Sequence, residues 1–126
     1  MSKILVLDDD KELLGVIKEI LSLNGFDVET SAPTYEINDL VAIHRPDLII
    51  MDYLMDDVNG GELCSIIKND LSTQHIPVIL LSAYDRIIQS LGTYGCDLFV
   101  AKPVEFSTLV YQINNLLPKG KDYEYH

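Results

Sequence analysis

Leu48-Ile49-Ile50-Met51-Asp52 is a run of four large apolar side chains that stops on a carboxylate. With no polar residue interrupting it, the run predicts a strand covered on both faces, as in a parallel sheet flanked by helices. Asp52 then stands at the strand's carboxyl end, the edge where open parallel sheets bind their ligands.

Outward from this strand the same pattern repeats. Lys3 to Leu7 (KILVL) is a second continuous apolar run, and Asp8-Asp9-Asp10 follow it at once. Residues 11 to 23 carry Leu13, Leu14, Ile17, Ile20 and Leu21 at helical spacing, with Asp10 as N-cap and Asn24-Gly25 as the stop. Phe26 to Thr30 alternates as a short strand. Pro33 is expected to open a second helix on Ile37, Leu40, Val41 and Ile43, ended by Arg45-Pro46. After Asp52, Tyr53 to Gly61 reads as an acidic, glycine-bearing loop, and the next helix has Leu63, Ile66, Ile67 and Leu71 on its inner face. Ile76 to Leu81 forms the fourth strand, ending at Ser82. A helix is expected over about 85 to 94, closed by Gly95. Leu98 to Ala101 is the fifth strand, ending at Lys102-Pro103, and the last helix runs from about 105 to 117 on Phe106, Leu109, Val110, Ile113, Leu116 and Leu117.

Five alternations of strand and helix imply an α/β fold: a doubly wound, five-stranded parallel sheet of flavodoxin-like (βα)5 type in the order 2-1-3-4-5. The switch point lies between the first and third strands, so Asp8, Asp9 and Asp52 converge there. Residues 1–118 are expected to form one domain and 119–126 a short, loosely ordered tail.

Composition narrows the function. Lys and Arg total 9 against 20 Asp and Glu, for a net charge of -11 over 126 residues. The few basic residues are scattered, which argues against direct nucleic-acid binding. No stretch approaches the length of a membrane span and the N-terminal apolar run is too short for a signal peptide, so a cytoplasmic protein is expected. Cys64 and Cys96 lack metal or redox spacing and read as reduced packing residues. His44, His75 and His126 are solitary and give no basis for a histidine-built metal site.

The strand ends deliver three carboxylates (Asp8, Asp9, Asp52), a hydroxyl (Ser82) and an ammonium (Lys102). Carboxylates this close repel unless a cation neutralises them, and oxygen-only ligands with room for water suit Mg2+. Lys102 and Ser82 are equipped to hold the remaining oxygens of a phosphoryl group. The set points to phosphoryl transfer to or from a carboxylate.

In these residues the sequence resembles the receiver domain of two-component response regulators over residues 3 to 117. The match rests on Asp8-Asp9, Asp52, Ser82-Ala83 and Lys102-Pro103 at successive strand ends, with His44-Arg45-Pro46-Asp47, Gly60 and Gly95. The resemblance implies that Asp52 accepts a phosphoryl group from a phosphohistidine of a sensor histidine kinase or histidine phosphotransfer protein. It implies that Asp9, Asp52 and the Leu54 backbone carbonyl bind Mg2+, that Asp8 acts through water, and that Lys102 contacts the phosphate. Ser82 would turn toward the phosphate and let Phe99 rotate inward, remodelling the surface of the fourth helix, fifth strand and fifth helix for a downstream protein target. Leu13 and Leu14 are candidates for docking a kinase helical bundle, with core packing as the alternative. Such a chain would not be an enzyme on other substrates; it would catalyse only its own phosphorylation and dephosphorylation, as a monomer or weak dimer.

The pattern departs from the family in places. Asp56, followed by Asp57, stands where a proline is usual; the Ser82 to Lys102 interval is about two residues short; and the last helix has no Arg to build a charged dimer seam. Leu54 and Tyr84 offer no acid or amide to orient an attacking water, so a long-lived phosphoaspartate is expected. An aspartate-nucleophile phosphatase using Asp8 is the rival from another class, since Asp8 to Asp10 contains a D-x-D. Against it, Glu12 replaces the usual small hydroxyl or apolar residue, no acidic pair follows Lys102, and Asp52 has no role. A flavin binder would need a Ser/Thr/Gly-rich phosphate loop after the first strand. A non-catalytic scaffold receiver would not need all five site residues.

Overall fold

A computed structural model describes residues 1–83 and 95–118. The elements are β1 (Lys3–Leu7), α1 (Lys11–Leu23), β2 (Asp27–Ser31), α2 (Ile37–His44), β3 (Leu48–Asp52), a small hairpin of β4 (Leu54–Met55) and β5 (Val58–Asn59), α3 (Gly60–Lys68), β6 (Val78–Ser82), β7 (Leu98–Ala101) and α4 (Phe106–Leu116). The helix expected over 85 to 94, Tyr84 and the tail from 119 to 126 lie outside the described residues.

The main sheet is parallel with the order β2-β1-β3-β6-β7, which is the expected 2-1-3-4-5. All five residues of β3 are buried, as an unbroken apolar run requires of a central strand. Alternate side chains build two cores. Ile4, Val6, Ile50, Ile79 and Leu81 pack with Ile17 and Leu21 of α1 and Leu109 and Ile113 of α4. On the other face Leu5, Leu7, Ile49, Met51 and Leu80 pack with Ile37 and Val41 of α2 and Leu63 and Ile67 of α3.

Local chemistry sets the element ends. The Asp10 carboxylate accepts from the Glu12 and Leu13 N–H groups at 3.0 and 3.1 Å and caps α1 as expected. Pro33 does not open α2, which begins at Ile37, because the Thr34 hydroxyl accepts from the Glu36 N–H at 3.1 Å and holds a turn there. Ile43, expected on that helix's inner face, is 72% exposed. The third helix ends at Lys68, where the Asn69 amide bonds the Ser65 carbonyl and Asp70 turns onto Ser72, so Leu71 is 84% exposed rather than internal. The fourth main strand begins at Val78 rather than Ile76, and the segment expected as a loop from Tyr53 to Gly61 contains the β4–β5 hairpin and the first two residues of α3. No helix among the described residues is long and apolar enough to cross a membrane.

Candidate functional site

The carboxyl ends of β1, β3, β6 and β7 meet at one edge of the sheet. Asp8 and Asp9 leave β1, Asp52 ends β3, Ser82 ends β6 and Lys102 follows β7. Neighbouring strands fasten this edge: the Tyr53 N–H donates to the Leu81 carbonyl and the Lys102 N–H to the Ser82 carbonyl, both at 2.8 Å. Asp52, Tyr53, Leu54, Ser82, Ala83 and Lys102 line a cleft of about 170 Å3.

One carboxylate oxygen from each of Asp8, Asp9 and Asp52 lies within 4.8 Å of the others. The Lys102 ammonium is 3.0 Å from Asp52 Oδ1 and 3.7 Å from Asp8 Oδ2. Asp8 is only 1% exposed; its Oδ1 accepts from the Asp10 N–H, while Oδ2 is buried with no hydrogen-bond partner among the described residues. A buried carboxylate oxygen without a hydrogen bond, in a cluster of three carboxylates that share one ammonium among the described residues, fits a hard divalent cation, which supplies further positive charge.

The electrostatics follow from this crowding. Burial pushes the Asp8 carboxyl up to about 6, helped by the charge of Asp52 and opposed by the Asp10 N–H and Lys102. Burial likewise raises Asp52, with the hydrogen bond and charge of Lys102 acting against it. Burial alone would lower Lys102, but its contact with Asp52 outweighs that and holds it above the ordinary lysine range. Asp9, at the rim, is lowered because the Asp56 N–H donates to its Oδ2 at 3.0 Å, and Asp56 is raised by the Asp9 carboxylate against it.

Ser82 is buried. Phe99 is half-buried against the core that holds Leu7, Met51 and Leu80. The pairs Leu80↔Phe99 and Ser82↔Ala101 make Ser82 and Phe99 diagonal neighbours on one face of the sheet. Leu54, 47% exposed, pairs with Asn59 in the hairpin. Asp10 is spent on capping α1 and stands outside the carboxylate cluster, which leaves a D-x-D phosphatase without its second acid.

Two features escaped the sequence reading. Asp56 reaches back to Asp9, and the Asn59 N–H donates to the Tyr35 hydroxyl at 3.2 Å, so the hairpin is tied down at both ends. Asn59 also caps α3 through the Glu62 N–H at 3.1 Å, and the order Asn59-Gly60-Gly61-Glu62 carried that signal. The Gly60 N–H bonds the Tyr53 carbonyl at 2.7 Å, and a Cβ on Gly60 would stand 2.2 Å from the Asp52 carbonyl oxygen, so only glycine lets the hairpin close under Asp52.

Residues 4–114 match the response regulator receiver domain family. The chain belongs to this family. It is 34% identical over 114 residues to the nisin biosynthesis regulatory protein NisR of Lactococcus lactis, covering 88% of this chain and 48% of that protein. It is 30% identical over 117 residues to the response regulator MprA of a Mycobacterium strain, covering 91% of this chain and 50% of that protein. The chain therefore spans about half the length of these curated relatives. Among solved structures, the signal receiver domain of a histidine kinase from Syntrophus aciditrophicus is 31% identical with a TM-score of 0.85, covering 93% of this chain and 90% of that one. The response regulator TrrA of Thermotoga maritima, solved in complex with Mg2+ and BeF, is 28% identical with a TM-score of 0.83, covering 93% and 100%. The receiver domain is a signalling module, and phosphorylation on an aspartate is its family's general mechanism.

Proposed function

We propose that Asp52 is the phosphoacceptor of this receiver domain. The observation that carries the assignment is its position: it ends the central strand, opens on the cleft, has the Lys102 ammonium at 3.0 Å and stands beside the Asp8–Asp9 pair. A carboxylate oxygen of Asp52 attacks the phosphorus of a phosphohistidine; the P–N bond breaks, its electron pair stays on the imidazole, and that ring takes up a proton. Lys102, released from Asp52 as the acyl phosphate forms, neutralises the phosphoryl oxygens, and the Ser82 hydroxyl donates to one of them.

Asp9, Asp52 and the Leu54 carbonyl are the ligands assigned to Mg2+, with Asp8 acting through water; the buried Asp8 Oδ2, which has no hydrogen bond among the described residues, supports this. When bound, the ion supplies charge neutralisation to the phosphoryl oxygens. Phosphorylation adds close to two negative charges. Drawing Ser82 toward them vacates space on the sheet face it shares with Phe99, whose inward turn would alter the surface made by β7 and α4. That the relative TrrA is solved in complex with Mg2+ and BeF supports Mg2+ as the cation.

The donor partner is a sensor histidine kinase or histidine phosphotransfer protein. Leu13, Val16, Pro103, Val104 and Phe106 line an apolar groove of about 250 Å3 next to Lys102, which supports docking of a helical bundle there. The domain is assigned to residues 1–118, acts in the cytoplasm as a monomer or weak dimer, and performs only its own phosphorylation and dephosphorylation. Transfer of radiolabel from a phosphorylated phosphotransfer protein in the presence of Mg2+ tests the reading. Label is expected on the parent and absent from Asp52→Asn; equal labelling of both would overturn it.

A further inference from the structure

The hairpin places an acid on the open side of the cation site. Asp56 sits at the turn between β4 and β5 with φ 21°, and its N–H donates to Asp9 Oδ2 at 3.0 Å. It shares with Asp8, Asp9, Lys11 and Thr30 the lining of a cleft of about 320 Å3, which Ser82 does not line, and the Asp9 carboxylate raises the Asp56 carboxyl above its ordinary range. The turn is not loose: the Asn59 N–H on the Tyr35 hydroxyl and the Gly60 N–H on the Tyr53 carbonyl fix the far end of the hairpin. Among the described residues the three carboxylates share one ammonium, Lys102, and a buried Asp8 oxygen in the same cluster has no hydrogen bond, so negative charge is already in excess there before Asp56 is counted.

We propose that Asp56 is a fourth carboxylate of the cation site, a positioning residue that orients Asp9 through its backbone N–H and raises the affinity for a divalent cation through its charge. This rests on the reading of Asp8, Asp9 and Asp52 as the cation site. A carboxylate on the residue whose backbone N–H bonds a ligand adds attraction at short range, where screening by salt is weakest. Asp57 does not line the cleft and gives the control for net charge alone. The proposal predicts that a site with Asp56 fills at a lower Mg2+ concentration than one without it.

The test is calorimetric titration of Mg2+ into the parent, Asp56→Asn, Asp57→Asn and Asp8→Asn at low ionic strength. Asp56→Asn is expected to weaken binding by roughly three- to tenfold, with Asp57→Asn changing it less and the gap narrowing at high salt. Folding of each variant is checked by its thermal transition, and labelling of Asp52→Asn and Asp56→Asn by acetyl phosphate at saturating Mg2+ separates the two levels of the account. Equal affinity in the parent and Asp56→Asn, or an equal loss in Asp56→Asn and Asp57→Asn, would overturn the role of Asp56 while leaving the site intact. A parent that binds no Mg2+, or binding untouched by Asp8→Asn, would overturn the cation site itself and Asp56 with it.

Discussion

The Lys102 ammonium lies 3.0 Å from Asp52 Oδ1 and 3.7 Å from Asp8 Oδ2, the one cation set against two buried acids at this edge of the sheet among the described residues. It bridges β7 to the ends of β3 and β1, so it acts on stability as well as on charge. Lys102→Met leaves two acids without their counter-charge and is expected to lower the stability of the metal-free protein by about 1–3 kcal/mol at neutral pH. Removing a like charge from the cation site is expected at the same time to tighten Mg2+ binding. Urea unfolding and Mg2+ titration of the same variant check the opposed signs; a loss in both would contradict the account.

The raised pKa of Asp8, about 6, has a defined pH signature. Its folded pKa exceeds the unfolded value, so the folded state binds the proton more tightly. The stabilisation is complete below the unfolded pKa and is lost as pH rises through about 6. Unfolding of the metal-free protein is therefore expected to need more urea at pH 5 than at pH 7.5, and Asp8→Asn to flatten that dependence. Mg2+ requires the ionised carboxyl, so its affinity should fall as pH drops through the same window, with proton release on binding. Calorimetry in two buffers of different ionisation enthalpy measures that release.

Two glycines separate a packing requirement from a propensity effect. A Cβ at Gly60 would meet the Asp52 carbonyl oxygen at 2.2 Å, whereas nothing lies within 4 Å of one at Gly15 on the exposed face of α1. Gly60→Ala is expected to cost about 2–4 kcal/mol and to impair labelling of Asp52. Gly15→Ala is expected to stabilise by about 0.5–1 kcal/mol with labelling unchanged. Chemical denaturation of both variants beside the parent decides it.

The acyl phosphate on Asp52 is expected to persist for many minutes to hours. Leu54, 47% exposed and lining the cleft two residues beyond Asp52, carries no group that could orient an attacking water. Following the phosphorylated mass with time measures the lifetime, and decay within seconds would contradict it.

The strands and the gathering of acids at one edge were legible because each apolar run stopped on its functional residue, as Met51-Asp52, Leu7-Asp8 and Leu81-Ser82 do. Asp10 was legible as a cap for the same local reason. What the sequence hid depends on short, non-periodic contacts. Two-residue strands leave no hydrophobic period, so the β4–β5 hairpin and the approach of Asp56 to Asp9 left no pattern to read. Ile43 and Leu71 kept the helical spacing but fall where the helix ends or has already ended; the left-handed Arg45, whose backbone N–H bonds the Val41 carbonyl, closes α2, and the Asn69 side-chain amide on the Ser65 carbonyl accompanies the end of α3. The Lys68 ammonium on Asp97, at 2.7 Å, joins residues far apart in sequence and had no local trace; the same Asp97 oxygen accepts from the Val78 N–H at 2.7 Å and ties the start of β6 to the approach of β7.

The central claim is that Asp52 takes the phosphoryl group. The direct measurement is the intact mass of the protein after acetyl phosphate, with and without Mg2+, followed by mapping of the modified peptide. The account requires a Mg2+-dependent gain of one phosphoryl group located at Asp52 and absent from Asp52→Asn. Labelling that persists in Asp52→Asn, or that maps to Asp8 with turnover of the donor, would contradict it.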